Sequence, residues 1–167
     1  AKDILNFTKA DYIKIETDKK NIDIVKYLSE NKIKVVSHIG VTPQKFTDFN
    51  KIRSVGKNIK DMNQLITLAI HLEKAGSKFI VLECVSLTTA KKITDNLSIP
   101  TIGIGASQNC DGQVLVIDDI LNFNSKNKKP KFVKNFINIE NSIVSAINMF
   151  TKEVKDKKFP LLKNSYR

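Results

Sequence analysis

The sequence contains no apolar run approaching the ~20 residues that a helix needs to cross a bilayer. Its opening, Ala1-Lys2-Asp3-Ile4, does not read as a secretory leader. Thiols are scarce: Cys84 and Cys110 form no C-x-x-C pair and have no metal-ligand spacing. A reducing, cytoplasmic home with no membrane partner is the expectation. No G-x-x-x-x-G-K-[ST] loop is present, so Gly103-x-Gly105 is only a weak phosphate signal. No internal repeat is visible. Acidic residues are the minority, 17 against 28 basic, for a net charge of +11. That excess argues for a nucleic-acid partner, but the lysines are spread along the chain. The densest run, Lys126-Asn127-Lys128-Lys129-Pro130-Lys131, has no aromatic residues interleaved for stacking. It reads as a solvated loop, and nucleic-acid binding is not expected. The first residue is Ala rather than Met, so the chain is expected to be processed or cut from something longer.

What is present suffices for a core. At 167 residues, 41% hydrophobic and 27% charged, the chain fits one globular domain. Its centre is Phe79-Ile80-Val81-Leu82-Glu83, an apolar run bounded by Gly76-Ser77-Lys78 and Ser86, which predicts a strand buried on both faces. Further strands are predicted at residues 12–16, 34–38, 100–105 and 113–117. Helices are predicted over about 1–9, 22–31, 65–75, 87–97 and 143–154. Gly76 is expected to close the third helix, Ser86 to cap the fourth, and Ile143, Val144, Ile147 and Phe150 to form the apolar side of the last. A polar excursion spans residues 42–60. This β-α-β-α order predicts a parallel sheet with helices outside. The link from Gly105 to Gly112 is too short for a crossover helix, so that helix is expected to be vestigial or missing.

Polar residues fall at the ends of successive predicted strands: Glu16, His38, Glu83 and Asp118. Ligands bind at the carboxyl ends of strands in such sheets. Alternation places Lys14 and Glu16 on one face and Ile13 and Ile15 on the other. Each candidate also has a plainer reading. Lys14 and Glu16 could be an exposed ion pair, and His38 a core histidine bonded to a carbonyl. Glu83 could be solvated, and Asp118 and Asp119 could cap the next segment. The small face of Thr101, Gly103 and Gly105 leaves room either for a ligand or for bulky neighbours. Cys84 has no histidine placed to activate it and reads as a small buried thiol.

Five stretches carry a family resemblance. They are Ser37-His38-Ile39-Gly40-Val41-Thr42-Pro43-Gln44, Val81-Leu82-Glu83-Cys84-Val85, Ile99-Pro100-Thr101-Ile102-Gly103-Ile104-Gly105-Ala106, Cys110-Asp111-Gly112-Gln113-Val114-Leu115-Val116 and Pro130-Lys131-Phe132-Val133-Lys134. In series and in this order they resemble ketopantoate hydroxymethyltransferase, from about Tyr12 to Arg167. The resemblance implies an α/β fold, the TIM (β/α)8 barrel, of which the chain carries about the last five β/α units and C-terminal helices. It also implies Mg2+, 5,10-methylenetetrahydrofolate as one-carbon donor and 3-methyl-2-oxobutanoate as acceptor. Small-molecule substrates and a homo-oligomer in the full-length family follow from it. By matched position, Glu83 is implied as the catalytic proton acceptor, Lys14 and His38 as substrate-binding residues, and Glu16 as a metal ligand.

The pattern departs from the family in places. The family's glycine-rich stretch is here Asn50-Lys51-Ile52-Arg53-Ser54-Val55-Gly56-Lys57; Gly-Ala-Gly has become Gly105-Ala106-Ser107; and a His-Asp pair has become Asp118-Asp119. The family's first three strands, with two metal-binding aspartates, have no counterpart in the 167 residues, and a complete barrel takes ~250 residues. Residues 1–167 are therefore expected to form a single partial barrel domain that is inactive alone. Alternatives are another oxo-acid or phosphoenolpyruvate enzyme of the same barrel superfamily, or a basic, non-catalytic nucleic-acid-binding module.

Overall fold

The computed structural model describes residues 1–43, 53–123, 129–137 and 142–166. The expectations placed on residues 44–52 and 124–128 lie outside the described residues. Alternating strands and helices dominate: α1 (Lys2–Thr8), β1 (Ile13–Glu16), α2 (Ile22–Glu30), β2 (Val35–Gly40), α3 (Ile59–Lys74), β3 (Phe79–Glu83), α4 (Leu87–Asn96), β4 (Thr101–Ile104), β5 (Gly112–Gln113), α5 (Ile117–Ile120) and α6 (Ile143–Lys155). The strands form one five-stranded sheet in the order β1-β2-β3-β4-β5, and every pairing is parallel.

The two faces of the sheet have different environments. Val35 and Ile39 of β2 and Ile80 and Leu82 of β3 are fully buried against Leu68, Leu72, Ala90 and Ile93 of the helices, and Ile13 and Ile15 pack on the same cluster. The opposite face carries Lys14, Glu16, Val36, His38, Val81, Glu83, Ile102 and Ile104, paired across the strands in register. A second core contains Val41 and Cys84, which follow β2 and β3, with Leu115, Phe132, Phe136 and Phe159. Phe136, Phe150 and Phe159 meet edge-to-face at centroid distances of 5.6–5.8 Å.

Local chemistry sets the ends of several elements. Asn58 caps α3 by accepting from the Asp61 N–H at 2.8 Å, and Gly76, at φ +103, closes it as expected. Ser86 sits at the N-cap of α4, but its hydroxyl donates to the Gly56 carbonyl instead, as does that of Thr89. Those bonds hold the returning end of the polar excursion, where Val55 pairs with Val85.

Toward the C-terminal end several expectations change. The last strand is only Gly112–Gln113; Val114 and Val116 are exposed, and Ile117–Ile120 is a helical turn. Asp118 and Asp119 therefore lie in the first turn of α5, not at a strand end, where the helix dipole favours carboxylates. The short link between β4 and β5 has no helix, as its length led us to expect. Asp111 holds it instead, accepting from the Thr101 N–H at 2.8 Å and the Thr101 hydroxyl at 3.1 Å. The small face of β4 turns toward the helix side, and a Cβ on Gly103 would meet Gln113 Oε1 at 2.7 Å and Cys110 Sγ at 3.1 Å. Bulky neighbours fill that space, so it is not room for a ligand. Finally, α6 buries Ala146 and packs Met149, Phe150 and Val154, leaving Ile143, Val144 and Ile147 exposed.

Candidate active site

Three neighbouring strands place the site. Lys14 pairs with Val36 and Glu16 with His38 across β1 and β2. His38 pairs with Val81, and Gly40 with Glu83, across β2 and β3. Because side chains alternate along each strand, all four candidate residues share one face. Gly40 brings no side chain beside Glu83, so His38, two residues back, reaches Glu83 on the diagonal.

The contacts form a line. Lys14 Nζ lies 3.4 Å from His38 Nδ1, and His38 Nε2 lies 3.1 Å from Glu83 Oε2. His38 is 1% exposed, whereas the Glu83 side chain is 17% exposed. An ammonium only donates, so this contact is satisfied when Nδ1 accepts, which leaves the imidazole proton for Nε2, facing the carboxylate. The approach of Nε2 to Glu83 is close but off-axis, and this buried nitrogen has no aligned hydrogen-bond partner. The distance and the angle thus differ in what they say. The pair is in electrostatic contact without a formed hydrogen bond.

The backbone beneath this line is fixed. Thr17, just beyond β1, grips the His38 carbonyl twice, through its N–H at 2.8 Å and its hydroxyl at 3.0 Å. Asn21 donates from Nδ2 to the Glu16 carbonyl at 3.0 Å and accepts from the Asp18 N–H at 2.8 Å. The Val41 N–H donates to the Glu83 carbonyl at 2.9 Å. A Cβ on Gly40, at φ +102, would come within 2.3 Å of that carbonyl oxygen. Reading candidates off strand ends missed Thr17 and Asn21. The signal was the Thr17-Asp18-Lys19-Lys20-Asn21 turn, whose hydroxyl and Asx side chains bond nearby backbone.

Cys84 follows Glu83 and is buried, with φ +50. Burial first, and the neighbouring Glu83 carboxylate second, push its thiol up to about 12. It stays protonated and is no nucleophile. Asp118 and Asp119 stand apart from this line, in α5; burial and then Asp118 raise the Asp119 carboxyl. Among the described residues no group of three His, Cys, Asp or Glu side chains is placed to hold a metal ion. No helix among them is long and apolar enough to cross a membrane.

Known proteins match almost the entire chain. A family model described as ketopantoate hydroxymethyltransferase matches residues 1–161. The chain is 48% identical over 166 residues to the 3-methyl-2-oxobutanoate hydroxymethyltransferase of Pelagibacter ubique, covering 99% of this chain and 63% of that protein. The proteins of the same name from Buchnera aphidicola and Francisella tularensis are 46% and 42% identical over 94% and 92% of this chain, and 59% and 58% of their own lengths. The chain thus spans about three-fifths of the length of these relatives.

Proposed function

The chain belongs to the ketopantoate hydroxymethyltransferase family, and from that premise we propose that it carries the proton-abstracting half of that family's active site. In this reading residues 1–167 are one partial (β/α)8 domain, and its five strands are the last five of eight. The complete protein transfers a hydroxymethyl group from 5,10-methylenetetrahydrofolate to 3-methyl-2-oxobutanoate, giving ketopantoate for pantothenate and coenzyme A synthesis in the cytoplasm, as a homo-oligomer.

One observation carries the proposal: a lysine, a buried histidine and a half-buried carboxylate in line on one face of the sheet. The Glu83 carboxylate takes the proton from C3 of the oxo acid. The C–H electron pair passes into the enolate, whose negative charge the Lys14 ammonium stabilises. Overall, the enolate carbon bonds the folate's methylene carbon and water supplies its hydroxyl group, while both bonds from that carbon to the folate nitrogens break; the proton taken from C3 and one from water end on those two nitrogens as tetrahydrofolate leaves. Desolvation under a bound substrate makes the fixed ammonium more effective than it would be in water.

Glu16 is the candidate metal ligand. Mg2+ asks for octahedral oxygen ligation, and the described residues offer no matching set. They do not fit the ion by themselves. The test is deuterium exchange of 3-methyl-2-oxobutanoate at C3, assayed with ketopantoate formation. In the protein completed with the N-terminal part of a relative, Glu83→Gln should lower both by ~10²–10⁴-fold with little change in KM. Exchange unchanged in the variant removes Glu83 from the role.

A further inference from the structure

Buried polar nitrogens are almost always hydrogen-bonded, and an exception asks for a reason. His38 Nε2 is such an exception, lying 3.1 Å from Glu83 Oε2 without an aligned bond. The ring itself is not free to seek another partner. It is 1% exposed; its carbonyl is bound twice by Thr17; and Nδ1 faces the Lys14 ammonium. Of the two partners, the half-buried carboxylate is the one with room to turn. Resting on the proposed proton abstraction at Glu83, we infer that His38 is a positioning residue and not a substrate ligand. Held as the Nε2–H tautomer by Lys14, it fixes the rotation of the Glu83 carboxylate through Oε2 when substrate is bound.

The chemistry favours this tautomer. An Nδ1–H tautomer would point a proton at the lysine ammonium. Only Nε2–H satisfies both neighbours, accepting from Lys14 and donating to Glu83. Catalytic hydrogen bonds are often poorly aligned before substrate binds and tighten afterwards. The orphaned Nε2–H is then a donor waiting for the carboxylate to rotate. Misplacing a catalytic group by about 1 Å can cost ~10²-fold in rate, so an unheld Glu83 lowers kcat, not affinity.

Two amides separate the two nitrogens of His38. A glutamine places its amide nitrogen near the position of Nε2, whereas an asparagine reaches only that of Nδ1. The variants are made in whichever form of the protein turns over, this chain alone or supplemented with the N-terminal part of a relative. His38→Asn should lower kcat and C3 exchange by ~10²-fold at nearly constant KM, and His38→Gln should recover most of it. A KM rise at constant kcat in both variants, or equal loss in both, overturns the inference. In parallel, the 15N chemical shifts of the His38 ring are read on the 167-residue chain itself. They should show Nε2 protonated and Nδ1 bare, and Lys14→Met should relax that preference. An Nδ1–H ring overturns the inference whatever the kinetics give. If the wild-type protein exchanges no deuterium, the function proposed for Glu83 fails, and the tautomer alone decides the role of His38.

Discussion

Cys84 shows how a single residue is shaped by its neighbours. It takes a left-handed φ of +50 and is 2% exposed, a conformation that costs a non-glycine residue of order 1 kcal/mol or more. The second core holds it there. Its thiol moves from an ordinary 9.0 up to about 12, mostly through burial, and the Tyr166 hydroxyl rises from 10.0 to about 12 for the same first reason. Both are acids that ionise more easily once unfolded. Stability is therefore full below about pH 9 and is lost as pH rises toward about 12. Urea midpoints should fall steadily over that window, and less steeply in Cys84→Ala. A flat profile means the thiol is solvated in the folded chain. Iodoacetamide should leave Cys84 unlabelled under native conditions at neutral pH, since only the thiolate reacts.

At the scale of the elements, Gly40 ends β2 directly beside Glu83 of β3. With φ +102 and an added methyl only 2.3 Å from the Glu83 carbonyl oxygen, Gly40→Ala meets both backbone strain and a clash with main chain. We expect a loss of ~2–4 kcal/mol, beyond the ~1–3 kcal/mol of strain alone. Denaturant unfolding checks this, and a loss under about 1 kcal/mol would mean the strands shift apart at little cost. Most elements were legible in sequence because their signals were redundant. In β3 a short apolar run sits between turn residues; in α3 apolar spacing agrees with Gly76. The placement of Lys14, Glu16, His38 and Glu83 on one face followed from alternation and parallel order. The failures share a cause. Val114-Leu115-Val116 has strand composition, but at the sheet edge Leu115 turns to the second core and its neighbours face solvent. On α6 the predicted apolar side carries Ile143, Val144, Ile147 and Phe150; packing against Phe136 and Phe159 keeps Phe150 but pairs it with Ala146, Met149 and Val154 instead. In both cases a tertiary partner, distant in sequence, chose among faces that local periodicity left equivalent. The contact of His38 with Glu83 was also invisible, since it joins diagonal rather than directly paired residues.

For the whole molecule, the five-stranded parallel sheet has two edges, β1 and β5, that pair with no further strand among the described residues. Its site face holds half-buried Val36, Ile102 and Ile104. Parallel sheets are normally covered on both faces, and open edges invite association. The described residues also lack a set of metal-binding groups. The purified chain is therefore expected to self-associate and to form no measurable ketopantoate by itself. Supplying the N-terminal part of a relative should restore turnover. Sedimentation and a product assay check the two halves, and metal-dependent turnover by the chain alone would refute the second. The order β1-β2-β3-β4-β5 has a temporal side as well. Each strand pairs only with those next to it in sequence, so the sheet can grow as the polypeptide is synthesised, one unit docking on the last. Lys14, His38 and Glu83 come from three successive units, and the emerging chain presents them in that order. Lys14 and His38 can meet, and set the imidazole tautomer, before Glu83 has been made. Glu83, the proposed base, is thus the last of the three to arrive, into a neighbourhood already oriented to receive it.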